Sequence, residues 1–361
     1  MTFLPYTDSV ESPHPDEEKT FDELQATMHR LSTLMYDRYR HATRPVHAKS
    51  HGLLKAELTV HPNLPEPYAQ GLFSSPNTYP AILRISTVPG DILADSISTP
   101  RGLAIKILNI PGPVLPSHSP NTTQDFVLVN AKSFPAPDAK AFLKLQHIIE
   151  KNANDPELFK ELVSNLARGT NAVLGLVGAQ STTLAQLGHP ETNPLGETYG
   201  SCAAIRFGNY IAKIIVEPSS QNLKDLFNKH VDVNFHFSGL RDAITEFFKT
   251  QTAQWTVKAQ LCTDLKSMPV EDPSIEWPET QSPYHPIATL TATPQDSYSP
   301  ARRVYVDELL SFNPFHALEA HRPLGNIMRA RKKTYEASSQ FRHTMNGHPL
   351  TEPQSISDLP D

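Results

Sequence analysis

Four short runs in the first third of the chain constrain its fold more than any other feature. Leu54, Ala56, Leu58 and Val60 alternate with polar neighbours, and Tyr79 to Val88 forms a second run ended by Pro89-Gly90-Asp91. Leu103 to Leu108 follows Pro100-Arg101-Gly102, and Gln124 to Asn130 is the fourth. Period-two runs separated by turn residues at this spacing predict an antiparallel barrel or sandwich. Further strands are expected at Ala203 to Phe207 and Tyr210 to Val216, joined through Gly208-Asn209, and at Thr256 to Cys262 and Ile287 to Ala292.

Helical periods interrupt and follow these strands. Phe21, Leu24, Met28, Leu31 and Met35 recur at threes and fours, marking a helix that docks on the domain or reaches another subunit. Ala141, Phe142, Leu145, Ile148 and Ile149 mark a second, and Leu158, Phe159, Leu162, Val163 and Leu166 a third that stops at Gly169. Later helices are expected over Leu240 to Lys249, Val306 to Phe312 and Pro323 to Ser338. The chain therefore reads as one α+β domain, 41–345, with an N-terminal arm and helix over 1–40 and a loose polar tail over 346–361.

Composition narrows the function classes. A formal charge of −6 over 361 residues argues against a nucleic-acid surface, which needs a basic stripe. No apolar run is long enough to cross a bilayer, and Met1 to Pro15 lacks the apolar segment of a signal peptide, so an intracellular setting, cytoplasmic or peroxisomal, is expected. The 33 prolines point to abundant loops. Cys202 and Cys262 are read as buried thiols.

Near the C-terminus Arg331 precedes Tyr335 by one helical turn, so the two share a face. A phenol titrates near ~10, about three units or roughly 4 kcal/mol above neutral pH. A tyrosinate therefore needs a neighbouring cation, and a metal ion on its oxygen supplies the remainder.

Four motifs then carry a resemblance. Arg44-Pro45-Val46-His47-Ala48-Lys49, Leu83-Arg84-Ile85-Ser86-Thr87-Val88, Pro100-Arg101-Gly102-Leu103-Ala104-Ile105-Lys106, and Arg331 with Tyr335 resemble, in order, the haem-pocket motifs of the catalase family. The similarity extends more weakly through Phe126 to Asp138 and Trp277-Pro278 with Pro283-Tyr284, covering roughly residues 40 to 345. It implies a catalase-like antiparallel β-barrel with inserted and C-terminal helices, binding haem b through Tyr335 as the iron ligand; tyrosine is the axial haem ligand of catalase. It also implies that His47 sits over the distal haem face, that Ser86 fixes its tautomer, and that Val46 roofs the iron. An imidazole suits the chemistry, because it can take a proton from one peroxide oxygen and return it to the other. By the same resemblance Asn121 orients the peroxide, with Thr122 in its place if the loop shifts by one residue. The resemblance further implies that Arg44, Arg84 and Arg342 face the haem propionates and that Phe134 stands beside the distal face.

The departures matter too. The chain ends soon after Tyr335, and Val129-Asn130 stands where the family has arginine and aspartate. Phe312 to Leu318 and His321 to Gly325 resemble the compact catalase-related proteins, small peroxidases and allene oxide synthases. The leading expectation is a haem peroxidase or catalase acting on hydrogen peroxide or an organic hydroperoxide. A hydroperoxide isomerase, or an oxidative step in a biosynthetic pathway, is the second. A non-catalytic haem carrier is the third, disfavoured because a carrier needs no acid–base histidine. A homo-oligomer is compatible with all three.

Overall fold

The computed structural model describes residues 2–97, 99–153, 191–234 and 236–361. The four runs of the first third are strands β1 (Ser50–Val60), β2 (Thr78–Thr87), β3 (Arg101–Ile107) and β4 (Gln124–Val129). After them come β5 (Tyr199–Gly200), β6 (Ile205–Phe207), β7 (Tyr210–Pro218), β8 (Ala253–Leu261) and β9 (His285–Ala292).

All pairings are antiparallel, and they close a ring of eight: β1, β2, β3, β4, β5, β7, β8, β9 and back to β1. β6 forms a hairpin with β7 through Gly208-Asn209, pairing Phe207 with Tyr210. The closing strand β5 is two residues long and was not legible in the sequence, because so short an element has no period. It joins β4 through Val129 opposite Gly200 and β7 through Tyr199 opposite Val216. Alternate residues fill the barrel interior: Leu83, Ile85, Leu103, Ile105, Phe126 and Leu128 from one side meet Ile214, Val216, Trp255, Val257 and Leu290 from the other.

Among the described residues three long helices pack outside the barrel. Helix α1 (Glu17–Tyr39) buries Phe21, Leu24, Met28, Leu31 and Met35, the face the sequence predicts. It packs on this chain's own α2 (Ala139–Asn152) and on the C-terminal α4 (Asn326–Asn346), sharing a core with Ala139, Ile327 and Ala330. Asp138 caps α2, its side chain accepting from Ala141 N at 2.7 Å. Helix α3 (Gly239–Phe248) lies against β1, with Ile244 fully buried. The helix expected over Leu158 to Leu166 lies outside the described residues.

Two stretches differ from expectation. Val304–Leu309 winds with π-helical spacing in place of an α-helix, following a short turn at Pro300–Arg303. The tail is docked, not loose: Leu359 is fully buried beside Leu53 and Ile82, and Glu352 meets the ammonium of Lys106. Its polar composition hid two anchoring residues. No helix among the described residues is long and apolar enough to cross a membrane.

Candidate active site

Strand register builds one wall of the site. Arg84 lies opposite Ala104, and Ala104 opposite Val127; Ser86 lies opposite Gly102, and Gly102 opposite Val129. Residues two apart share a face, so Arg84, Ser86, Gly102, Ala104 and Val127 all project from the outer surface of the barrel. They line a cavity of about 460 Å³. Helix α4 forms the facing wall, with Thr334, Tyr335, Ser338, Ser339 and Arg342, and Phe312 closes one side.

His47 enters this space from the segment between α1 and β1. Its backbone has φ +56°, a left-handed conformation uncommon outside glycine and often found at functional sites. Both of its peptide groups are tied: the His47 N–H donates to Val88 O at 2.7 Å, and its carbonyl accepts from Arg84 Nη2 at 2.7 Å. The ring Nδ1 lies 3.0 Å from Ser86 Oγ. The ring rests against Gly102, where any Cβ would overlap it. Nε2 is then the polar ring atom that no described residue engages. Burial, reinforced by the nearby Arg84, Arg331 and Arg44 guanidinium groups, pushes the imidazole pKa down to about 3. At neutral pH the ring is a neutral base.

On the facing wall Arg331 Nη2 donates to the Tyr335 hydroxyl at 2.6 Å, and its guanidinium carbon lies 4.9 Å from the phenol ring centroid. Helical spacing delivers this pair, as the sequence predicts. A phenol oxygen held by a guanidinium is a hard oxygen donor presented to the cavity. Tyr335 and His47 thus border one cavity from opposite walls.

A third group gathers at the rim. Arg44 Nη1 donates to Asp307 Oδ1 at 3.0 Å and Arg84 Nε to the same oxygen at 2.9 Å. Arg342, only 3% exposed, donates to the carbonyls of Asp307, Glu308 and Leu310. Burial raises the Asp307 pKa, but Arg84, Arg44 and the Ser50 hydroxyl outweigh it and hold it below the ordinary carboxylate value.

No family model matches the sequence, and no curated protein matches it. Solved structures do match. A fungal catalase superposes with a TM-score of 0.62 at 17% identity, over 86% of this chain and 61% of that one. Catalase A from Saccharomyces cerevisiae gives 0.64 at 17% identity over 91% of this chain, and a bacterial catalase 0.57 at 14% over 90%. The chain has the catalase fold. It spans 69% of the yeast protein and 63% of the bacterial one.

Onto this catalase fold the structure places the expected site residues unevenly. Arg44, Val46, His47, Arg84, Ser86, Tyr335 and Arg342 line the cavity, and Arg331 reaches it through Tyr335. Asn121 and Thr122 do not. They precede Gln124, which pairs with Ile107 at the end of β3 remote from Gly102. Ser117 of the same loop lines the cavity, whereas Asn121, whose N–H donates to His118 O at 3.0 Å, is not among the lining residues. Val127, opposite Ala104, lines the cavity on the β3–β4 wall. Phe134 is also not among the lining residues; it packs on Phe142, ring centroids 5.1 Å apart, in the core that also touches Val46.

Sequence reasoning missed Gly102, Val127 and Asp307. Gly102 lies within the Pro100 to Lys106 motif, and its lack of a side chain was the available signal. Val127 required the register across three strands. At the cavity edge His118, His316 and Glu352 bring ligand atoms within 4.8 Å of one another. The cation among them is the Lys106 ammonium, 2.9 Å from Asp125 Oδ2 and 3.3 Å from His316 Nδ1.

Proposed function

We propose that this chain is a haem-dependent oxidoreductase that cleaves the O–O bond of hydrogen peroxide or an organic hydroperoxide. The observation that carries the reading is the Arg331-supported phenol of Tyr335 facing the same cavity as a neutral His47 whose Nδ1 is engaged by Ser86. The residues fit a ferric haem. A phenol paired with guanidinium suits the iron, apolar Val46, Ala104 and Val127 suit a porphyrin face, and the arginines of the rim suit its carboxylates. The cavity volume falls within the ~300–1,000 Å³ of small-molecule sites.

Tyr335 would hold the iron, and Arg44, Arg84 and Arg342 the acidic edge. When bound, ferric haem supplies the electrons that O–O cleavage takes up. The protein supplies proton transfer. His47 Nε2 would accept the proton of one peroxide oxygen and return it to the other as the O–O bond breaks. Ser86 keeps the ring in the orientation that leaves Nε2 available, and the pinned backbone of His47 holds it without reorganisation.

The wall beside His47 is apolar at Val46, Ala104 and Val127, with no amide from the β3–β4 pair. That favours an organic hydroperoxide carrying an apolar substituent over hydrogen peroxide, by contact area along the wall. Isomerisation of such a hydroperoxide, in the manner of the allene oxide synthases, is the second reading that the same wall supports. Purified protein loaded with haem and given hydrogen peroxide beside a fatty-acid hydroperoxide tests both. Faster consumption of the lipid hydroperoxide is expected, and turnover of neither substrate would remove the proposal.

A further inference from the structure

The π-helical turn Val304–Leu309 leaves carbonyls at its end without ordinary intrahelical partners, and guanidinium groups collect on them. Arg44 Nη2 donates to Val306 O at 2.7 Å and Leu310 O at 3.0 Å, while Arg342 Nη1 donates to Asp307 O and Glu308 O, both at 2.7 Å. The Asp307 carboxylate adds the charged contacts. Oδ1 accepts from both Arg44 and Arg84, and Oδ2 accepts from Ser50 Oγ at 2.6 Å. Glu308 turns away, its carboxylate bonded to His41 and Asn346.

Three guanidinium groups and one carboxylate leave two positive charges here. Arg44, Arg84 and Arg342 line the cavity, whereas Asp307 stands behind them and does not. Among the described residues, Arg44 Nε and Arg84 Nη1 have no partner. Two neighbouring guanidinium groups repel, and without a shared anion they would splay apart. Asp307 grips both through one oxygen.

We propose that Asp307 is a positioning residue that holds Arg44 and Arg84 as a preformed seat for a dianionic edge, such as the paired carboxylates of a porphyrin. This rests on the haem reading of the cavity. Preorganisation of charged donors raises affinity by lowering the cost of ordering them on binding. Charge alone predicts the opposite sign, since removing Asp307 leaves a third uncompensated positive charge that would attract an anion more strongly.

The test uses the full chain loaded with haem or with haem dimethyl ester, which lacks the carboxylates, and follows porphyrin loss to an excess of a haem-scavenging globin by absorbance. Asp307→Asn should speed loss of haem about tenfold, the equivalent of one charge-assisted hydrogen bond, and leave loss of the ester unchanged. Ser50→Ala, which keeps the charge and removes one support, should speed haem loss by a few-fold in the same selective way. Asp307→Asn holding haem as well as or better than wild type would overturn the positioning role. So would equal acceleration for both porphyrins, which is the signature of general damage. Wild type holding both porphyrins alike would leave the haem reading standing and remove the seat; wild type taking up neither would remove the haem reading and the seat with it.

Discussion

His47 sets the chemistry at the scale of single residues. His47→Ala should retain haem and lower the rate of hydroperoxide cleavage by about 10²–10⁴-fold, the usual worth of acid–base assistance. Stopped-flow consumption of hydroperoxide by the loaded variant measures it, and a loss of less than about threefold would count against the role. Its pKa near 3 makes a second prediction. The folded ring takes a proton only near 3, whereas the unfolded ring takes one near ~6.5, so the unfolded state binds more protons between these values. Stability is therefore lost as pH falls from about 6.5 to about 3. Urea midpoints measured across that window should fall less steeply for His47→Asn than for wild type. Coincident pH profiles would contradict the assignment. Arg331 with Tyr335 was legible because one helical turn fixes which side chains meet. Asp307 was not, since its partners Arg44 and Arg84 lie far away in sequence and its own turn is π-helical in a stretch that reads as an α-helix.

Strands explain at the next scale why the distal wall was only half readable. Alternation within a strand places Arg84 with Ser86 and Gly102 with Ala104 on one face, and the sequence carries that period. It does not carry the register across the long connection between β3 and β4, and a shift of one residue changes which side chain faces the cavity. Val127 reaches the cavity through that register, whereas Asn121 precedes the strand in a loop whose path no period encodes. Gly102 gives the prediction that belongs here. Gly102→Ala places a methyl group where the His47 ring lies, so the imidazole must leave Ser86 or the strands must part. The expected outcome is a drop in hydroperoxide cleavage of about 10-fold or more with haem still bound. Unchanged turnover would show that the ring is not seated as described.

Over the whole molecule, barrel closure depends on few residues. β5 contributes only Tyr199 and Gly200, and the tail returns across the outside of the barrel to bury Leu359 against Leu53 and Ile82. Leu359→Ala should cost about 2–4 kcal/mol, as other buried leucine truncations do. Denaturant titration should show a lower midpoint with an unchanged slope. An unaltered midpoint would mean the tail adds nothing to stability. An antiparallel barrel or sandwich was foreseeable from turn spacing, whereas the closure of the ring at β5 and the docked tail were hidden in stretches too short or too polar to show a period.

All three scales converge on the oxygen of Tyr335. The most direct test is to load full-length wild type and Tyr335→Phe with haem and compare absorbance and electron paramagnetic resonance spectra. Wild type is expected to bind one haem as a high-spin ferric centre with a phenolate-to-iron charge-transfer band, and Tyr335→Phe to lose that band together with most of its haem affinity. A Tyr335→Phe variant that retained full haem and the wild-type spectrum would contradict the account.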